Sequence, residues 1–87
     1  MLFVSYYKYK GEKYESPVYV GDDLDSAWKA LYDRFDFLCG HFWYVEKWVN
    51  GSVQERYELP LKEFSHTDKK PAWRTMQDFI AANYEVL

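Results

Sequence analysis

A length of 87 residues leaves room for one domain, and 48% hydrophobic with 29% charged residues is typical of a globular rather than a disordered protein. The single Cys39 excludes an internal disulfide, and no window approaches the roughly 20 apolar residues of a membrane span. A net charge of −3 argues against a protein built mainly to bind a polyanion. The apolar start of the chain is interrupted too early for a signal peptide. We therefore expect one cytoplasmic domain over residues 1–87, with no membrane contact.

Aromatic residues make up 22% of the chain, as six Phe, four Trp and nine Tyr. A domain of this size has a limited interior, and each ring needs a large area of cover to be buried. We expect Trp28 and at least one other Trp in the core, and some of the remaining rings on the surface.

The first predicted element is a β-hairpin. Residues 2–9 are aromatic and β-branched with a rough period of two, which separates Leu2, Val4 and Tyr6 from the residues between them. Residues 10–13 form a polar turn that contains glycine, and residues 14–20 form the returning strand. Pro17 cannot donate a ladder hydrogen bond, so this second strand should lie at a sheet edge.

Residues 23–38 show the clearest periodicity in the chain and predict an amphipathic helix. The apolar positions recur every three or four residues, at Leu24, Ala27, Trp28, Leu31, Phe35 and Leu38. Asp22 and Asp23 can offer side-chain oxygens to the free amides at its start, and Gly40 can adopt the left-handed conformation that ends it. Because residues 11–40 carry seven acidic and three basic side chains, the helix should present a mainly acidic face.

A second hairpin follows, with its turn at Asn50-Gly51, a pair that readily adopts positive φ. A two-residue turn pairs Trp48 with Val53 and Tyr44 with Tyr57, and it places Glu46 opposite Glu55. A three-residue loop over residues 50–52 instead pairs Glu46 with Arg56. Such pairs contribute only some tenths of a kcal/mol to about 1 kcal/mol, so turn geometry favours the two-residue form.

The last predicted element is a helix capped by Thr67 or Asp68, with Pro71 in its first turn and a stop at Asn83. Its apolar stripe is Ala72, Trp73, Met76, Phe79, Ile80 and Tyr84. The order ββαββα predicts an α+β fold with a four-stranded antiparallel sheet from two hairpins, a central amphipathic helix and a C-terminal helix.

Motifs for catalysis or metal binding are weak in this sequence. Cys39 and His41 flank Gly40, but a thiol and an imidazole need suitable geometry and a third orienting group. One Cys and two distant His, His41 and His66, do not match a zinc pattern. We therefore interpret Cys39 as a small buried hydrophobe, and we predict no catalytic residues, no metal site and no cofactor.

Protein binding fits the aromatic surplus best, because Tyr and Trp dominate interface hot spots. An acidic helix face can steer a basic partner toward such a surface. The predicted partner-binding residues are Tyr6, Tyr7, Tyr9, Tyr14, Tyr19, Trp43, Trp48, Asp33 and Asp36.

Two alternatives use the same rings. Lys8 and Lys10 alternate with Tyr6, Tyr7 and Tyr9, a pattern that can stack bases and neutralise phosphates of a nucleic acid. The aromatics could instead close a structural homodimer.

As a whole, this small acidic chain rich in Tyr and Trp, without a catalytic set, resembles the small inhibitors encoded by bacteriophages, which include anti-CRISPR proteins. The resemblance rests on size and composition over the whole chain. It implies a protein that inhibits a host enzyme or defence complex by occupying its working surface.

Overall fold

The computed structural model of the protein describes residues 1–7, 16–34, 42–61 and 70–87. Within them the chain forms an α+β fold of five strands and two helices, which confirms the predicted class. The elements are β1 Leu2–Tyr7, β2 Ser16–Gly21, α1 Leu24–Tyr32, β3 Phe42–Val49, β4 Ser52–Pro60, α2 Trp73–Asn83 and β5 Glu85–Val86.

The five strands form one antiparallel sheet in the order β2-β1-β3-β4-β5. The prediction of four strands was therefore incomplete. The fifth strand is only two residues long, too short to show a period of two, and it pairs Val86 with Tyr57. The Leu87 amide extends this ladder by donating to the Arg56 carbonyl at 2.8 Å.

Both helices pack on the same side of the sheet and build the core there. The apolar face of α1 buries Ala27, Trp28 and Leu31, and α2 buries Met76 and Ile80. From the sheet, the core receives Phe3, Trp43, Val45, Tyr57 and Leu59. The predicted burial of Trp28 and Leu31 is confirmed, whereas Phe35 and Leu38 lie outside the described residues.

The start of α1 differs in detail from the prediction. Asp23 is the N-cap residue, but its side chain makes no hydrogen bond to a helix amide. Its carboxylate instead accepts a 2.6 Å hydrogen bond from the Ser26 hydroxyl, one turn into the helix. The helix ends at Tyr32, with Asp33 as its C-cap, so it is shorter than the predicted helix over residues 23–38. Gly40, the predicted stop, lies outside the described residues.

The second helix begins later than predicted. Ala72, its N-cap residue, is extended at φ −61 and ψ 150, so Pro71 precedes the helix instead of lying in its first turn. A proline disfavours helical backbone in the residue before it, which is consistent with a late start here. Thr67 and Asp68 lie outside the described residues. The predicted stop at Asn83 is confirmed, because Tyr84 is extended at ψ 147.

The β3–β4 hairpin combines features of both predicted registers. Asn50 and Gly51 have φ of 52 and 80, which makes the two-residue turn, and Trp48 pairs with Val53 as predicted. An irregularity between Lys47 and Trp48 then shifts the ladder by one residue. The predicted pairing of Glu46 with Glu55 and of Tyr44 with Tyr57 was therefore wrong.

The bulge in this hairpin brings opposite charges together. Glu46 pairs with Arg56, whose Nη1 donates to Glu46 Oε2 at 2.9 Å. A bulge adds one residue to one strand, here Gln54 of β4. It lets the tip keep the turn that Asn50-Gly51 prefers while the strands adopt the register of opposite charges.

A second bulge lies at the β1–β2 edge. Ser5 pairs with Tyr19 and Tyr6 with Pro17, so Val18 is the additional residue. Strand β2 is at the edge of the sheet, as the position of Pro17 predicted.

Candidate functional site

The side of the sheet that faces away from α1 and α2 is the candidate site, and we call it the open face. In β1, Phe3 and Ser5 are buried toward the helices, so alternation directs Leu2, Val4 and Tyr6 to the other side. The pairing registers extend this assignment across the neighbouring strands. The described residues of the open face are Leu2, Val4, Tyr6, Pro17, Val20, Tyr44, Glu46, Trp48, Val53, Arg56, Glu58, Pro60 and Glu85.

Aliphatic side chains on the open face are unusually exposed. Leu2 is 47% exposed, Val20 63% and Val53 44%. Leu2 pairs with Trp48, which pairs with Val53, so these side chains form one row across three strands. Val20 lies opposite Val4 in the next row. A sheet surface with this many water-facing apolar groups is typical of an interaction site.

The aromatic rings of the open face lie in two rows, one shared with Leu2 and one beyond Val4. Tyr6 pairs with Tyr44, and Trp48 stands at the end of the sheet next to Leu2. All three rings are partly buried. They therefore combine fixed positions with some surface that another molecule could contact.

Charged side chains lie in the rows beside Leu2, Trp48 and Val53, with the Glu46–Arg56 pair in the middle of the sheet. Arg56 is held by Glu46, and its guanidinium lies 4.3 Å from the centroid of the Tyr44 ring, a cation–π distance. Glu58 lies directly opposite Glu85 of β5. The β5 side of the open face is therefore acidic.

The predicted partner-binding residues divide between the two sides of the sheet. Tyr6 and Trp48 are on the open face. Tyr7 and Tyr19 are on the helix side, where they pack against the core while remaining partly exposed. Tyr9, Tyr14 and Asp36 lie outside the described residues.

Trp43 requires a correction. It is 0% exposed, in the middle of the core, and so it is not a surface residue of this structure. It is paired with Leu59, which is also fully buried, on the helix side of the sheet.

Asp33 is exposed but not isolated. At the end of α1 its carboxylate lies 2.5 Å from Lys29 Nζ, in an ion pair between residues four apart. Its charge is therefore largely balanced within the helix, and it is a weaker source of acidic steering than the sequence suggested.

Sequence reasoning missed Tyr44 and the exposed aliphatic residues Leu2, Val20 and Val53. The signal was present in β3, where Tyr44, Glu46 and Trp48 alternate with Trp43, Val45 and Lys47. That pattern separates two faces but does not reveal which one the helices cover, since both contain a Trp.

On the helix side, Tyr57 has an altered acidity. Burial, together with the hydrogen bond that its hydroxyl donates to the Glu55 carboxylate at 2.5 Å, raises the pKa of Tyr57 to about 12. The phenol therefore remains a neutral donor at physiological pH, and we assign it a structural role.

Within the described residues, no group of three or more His, Cys, Asp or Glu side chains could hold a metal ion. Cys39, His41 and His66 lie outside those residues. Neither described helix has the length and apolar character needed to cross a membrane.

Comparison with protein-family models, curated proteins and solved structures finds no match to this chain.

Proposed function

We propose that the protein is a non-enzymatic binding module that docks another protein on its open face. One observation carries the proposal: Leu2, Val20 and Val53 are all more than 40% exposed and lie beside partly buried aromatic rings on one sheet surface. Covering such a surface would remove apolar area from water, which is the main driving force for protein association.

The composition of the open face favours a protein as the partner. Tyr and Trp provide large contact area with few rotatable bonds, and their polar tips tolerate partial exposure. The Glu46–Arg56 pair is already matched, so it can be covered without leaving an uncompensated charge.

The charges at the margin indicate the chemistry of the partner. Glu58 and Glu85 stand opposite each other and would be stabilised by a basic group placed near them. Around the start of α1, Asp22, Asp23 and Asp25 are exposed and add to the acidic field. The expected partner surface has an apolar patch with basic residues beside it.

Inhibition is the mode of action that we propose for this module. The similarity in size and composition to bacteriophage inhibitors, including anti-CRISPR proteins, implies that docking blocks an enzyme or defence complex of the host. A protein on the sheet surface would act by covering the working surface of its partner.

The proposal is tested by affinity purification from the source cell, before and after nuclease treatment, together with the mass of the isolated protein in solution. A protein partner retained after nuclease treatment, and whose own activity falls when this protein is added, is the expected result. Recovery of nucleic acid alone, with affinity that falls steeply with salt, would overturn the proposal in favour of a nucleic-acid binder. A stable dimer that recruits nothing would favour a structural homodimer.

Matched variants locate the site on the captured partner. Val20→Lys and Val53→Lys each place a charge on the open face, whereas Thr75→Lys adds the same charge to the exposed surface of α2. We expect at least a tenfold loss of affinity for each open-face variant, about 1.4 kcal/mol, because an unpaired charge would be buried in the interface. Equal affinities for all three variants would place the site elsewhere.

A further inference from the structure

A groove between α1 and α2 forms a second concave feature on the helix side of the fold. It has a volume of about 190 Å³. Three of its lining residues are aromatic, Trp28, Trp73 and Tyr84, and Leu24 and Ile80 add aliphatic surface. A carboxylate, Asp25, also lines it.

The Asp25 carboxylate makes the groove more favourable for a cation than for an anion. Asp25 is exposed in the first turn of α1, and within the described residues no cation or hydrogen-bond donor is paired with it. Aromatic ring faces are electron-rich and attract cations, so the rings and the carboxylate favour the same sign of ligand charge. Neutral apolar ligands would use the rings but leave Asp25 without a partner.

Trp73 of the groove and the adjacent Tyr32 already lie within cation–π distance of ammonium groups of the chain. Lys70 Nζ lies 4.2 Å from the centroid of the Tyr32 ring, and Lys29 Nζ lies 5.3 Å from it. Lys29 Nζ is also 5.8 Å from the Trp73 ring. Lys29 is paired with Asp33, which reduces its repulsion of a second cation near Trp73.

Size restricts the ligand further. Pockets for drug-sized molecules and cofactors are about 300–1,000 Å³, so a groove of about 190 Å³ suits a group of only a few heavy atoms. An alkylated ammonium has the required charge, and its methyl groups can contact Leu24 and Ile80.

We infer that the groove is a binding site for a small free alkylammonium ion, held by Trp28, Trp73, Tyr84 and Asp25. This site is separate from the open face and does not depend on the function proposed for it.

The test is a titration of the full chain with choline chloride, followed by the indole N–H signals of its four Trp residues in a two-dimensional NMR spectrum. Parallel titrations use sodium chloride at the same ionic strength and 3,3-dimethylbutan-1-ol, the neutral analogue of choline. We expect choline to shift the Trp28 and Trp73 signals but not those of Trp43 and Trp48. Its affinity should be at least about tenfold higher than that of the neutral alcohol.

Variants separate the charge from the rings. Asp25→Asn and Tyr84→Leu should each weaken choline binding at least threefold, whereas Tyr84→Phe keeps the ring and should bind as the unmodified protein does. Asp78→Asn, which removes the same charge from an exposed residue of α2 that does not line the groove, is the control and should have no effect. Unshifted Trp43 and Trp48 signals show that each variant is folded.

Three results would overturn the inference. Equal affinity for choline and the neutral alcohol would make the groove a general apolar cleft. Shifts that sodium chloride reproduces would reflect ionic strength only. Unchanged Trp28 and Trp73 signals throughout would show that the groove does not bind this class of ion.

Discussion

The two faces of the sheet are made from the same strands, yet they differ sharply in environment. On the helix side Trp43, Val45 and Leu59 are completely buried, whereas Leu2, Val20 and Val53 on the open face are exposed to water. Alternation along a strand produces two apolar sets, and the helices cover only one of them. An apolar pattern therefore identifies a face of the sheet, and the packing of the helices decides whether that face is buried in the core or stays accessible for binding.

The comparison is tested most strongly by two tryptophans of the same strand. Trp43→Ala removes a fully buried ring and should lower the free energy of unfolding by about 3–5 kcal/mol. Trp48→Ala removes a partly exposed ring and should cost less than about 2 kcal/mol. Urea unfolding measures the loss of stability in both variants. If Trp43→Ala shows no cooperative unfolding transition, it has the larger loss. Equal costs would contradict the assignment of the two faces.

A pair of leucines sharpens the comparison without changing aromatic content. Leu31→Ala leaves a cavity beneath α1 and should cost about 2–5 kcal/mol, because Leu31 is fully buried. Leu2→Ala on the open face should change stability by less than about 1 kcal/mol. Thermal unfolding of both variants in one buffer is sufficient, and a larger loss for Leu2→Ala would reverse our reading.

A pH titration examines the helix side alone. Because the pKa of Tyr57 is raised to about 12 in the folded protein and is about 10 when unfolded, its contribution is complete below pH 10. That contribution is lost as pH rises from 10 to 12, on the order of 2 kcal/mol. The unmodified protein should therefore lose more stability over this range than Tyr57→Phe, which controls for every other titrating group. Equal losses of stability in the two proteins would show that the Tyr57 hydroxyl is not buried and hydrogen-bonded as described.

Breaking the ion pair of the open face should change the free energy of unfolding least. A double-mutant cycle on Glu46 and Arg56 should give a coupling of about 0.5–1 kcal/mol, since the pair is cross-strand and partly buried. The exposed Lys29–Asp33 pair of α1 is the matched control and should give about 0.3–0.5 kcal/mol. A coupling near zero for Glu46 and Arg56 would mean that the bulge register has another cause.

Much of the fold could be predicted from local signals. The period of residues 23–38 predicted α1 but not its end at Tyr32, Asn50-Gly51 predicted the second hairpin, and Pro17 predicted an edge strand. These predictions could be made because the interactions that determine such elements act over a few residues. The prediction also assigned the burial of Trp28 and Leu31 correctly.

The other features of the fold depend on residues far apart in the sequence or on small differences in free energy. Strand β5 has two residues and exists through its pairing with β4. The bulge opposite Lys47 reconciles a turn preference with an ion pair, and each contributes about 1 kcal/mol or less. Trp43 could not be separated from Trp48 as buried or accessible, because that distinction depends on where the helices pack.

Docking of another protein on the open face can be measured by hydroxyl-radical footprinting of the captured complex. The expected result is that Leu2, Trp48 and Val53 become protected when the partner binds, while the exposed residues of α2 keep the reactivity that they have in the free protein. Protection confined to the helix layer, with an unchanged open face, would contradict it.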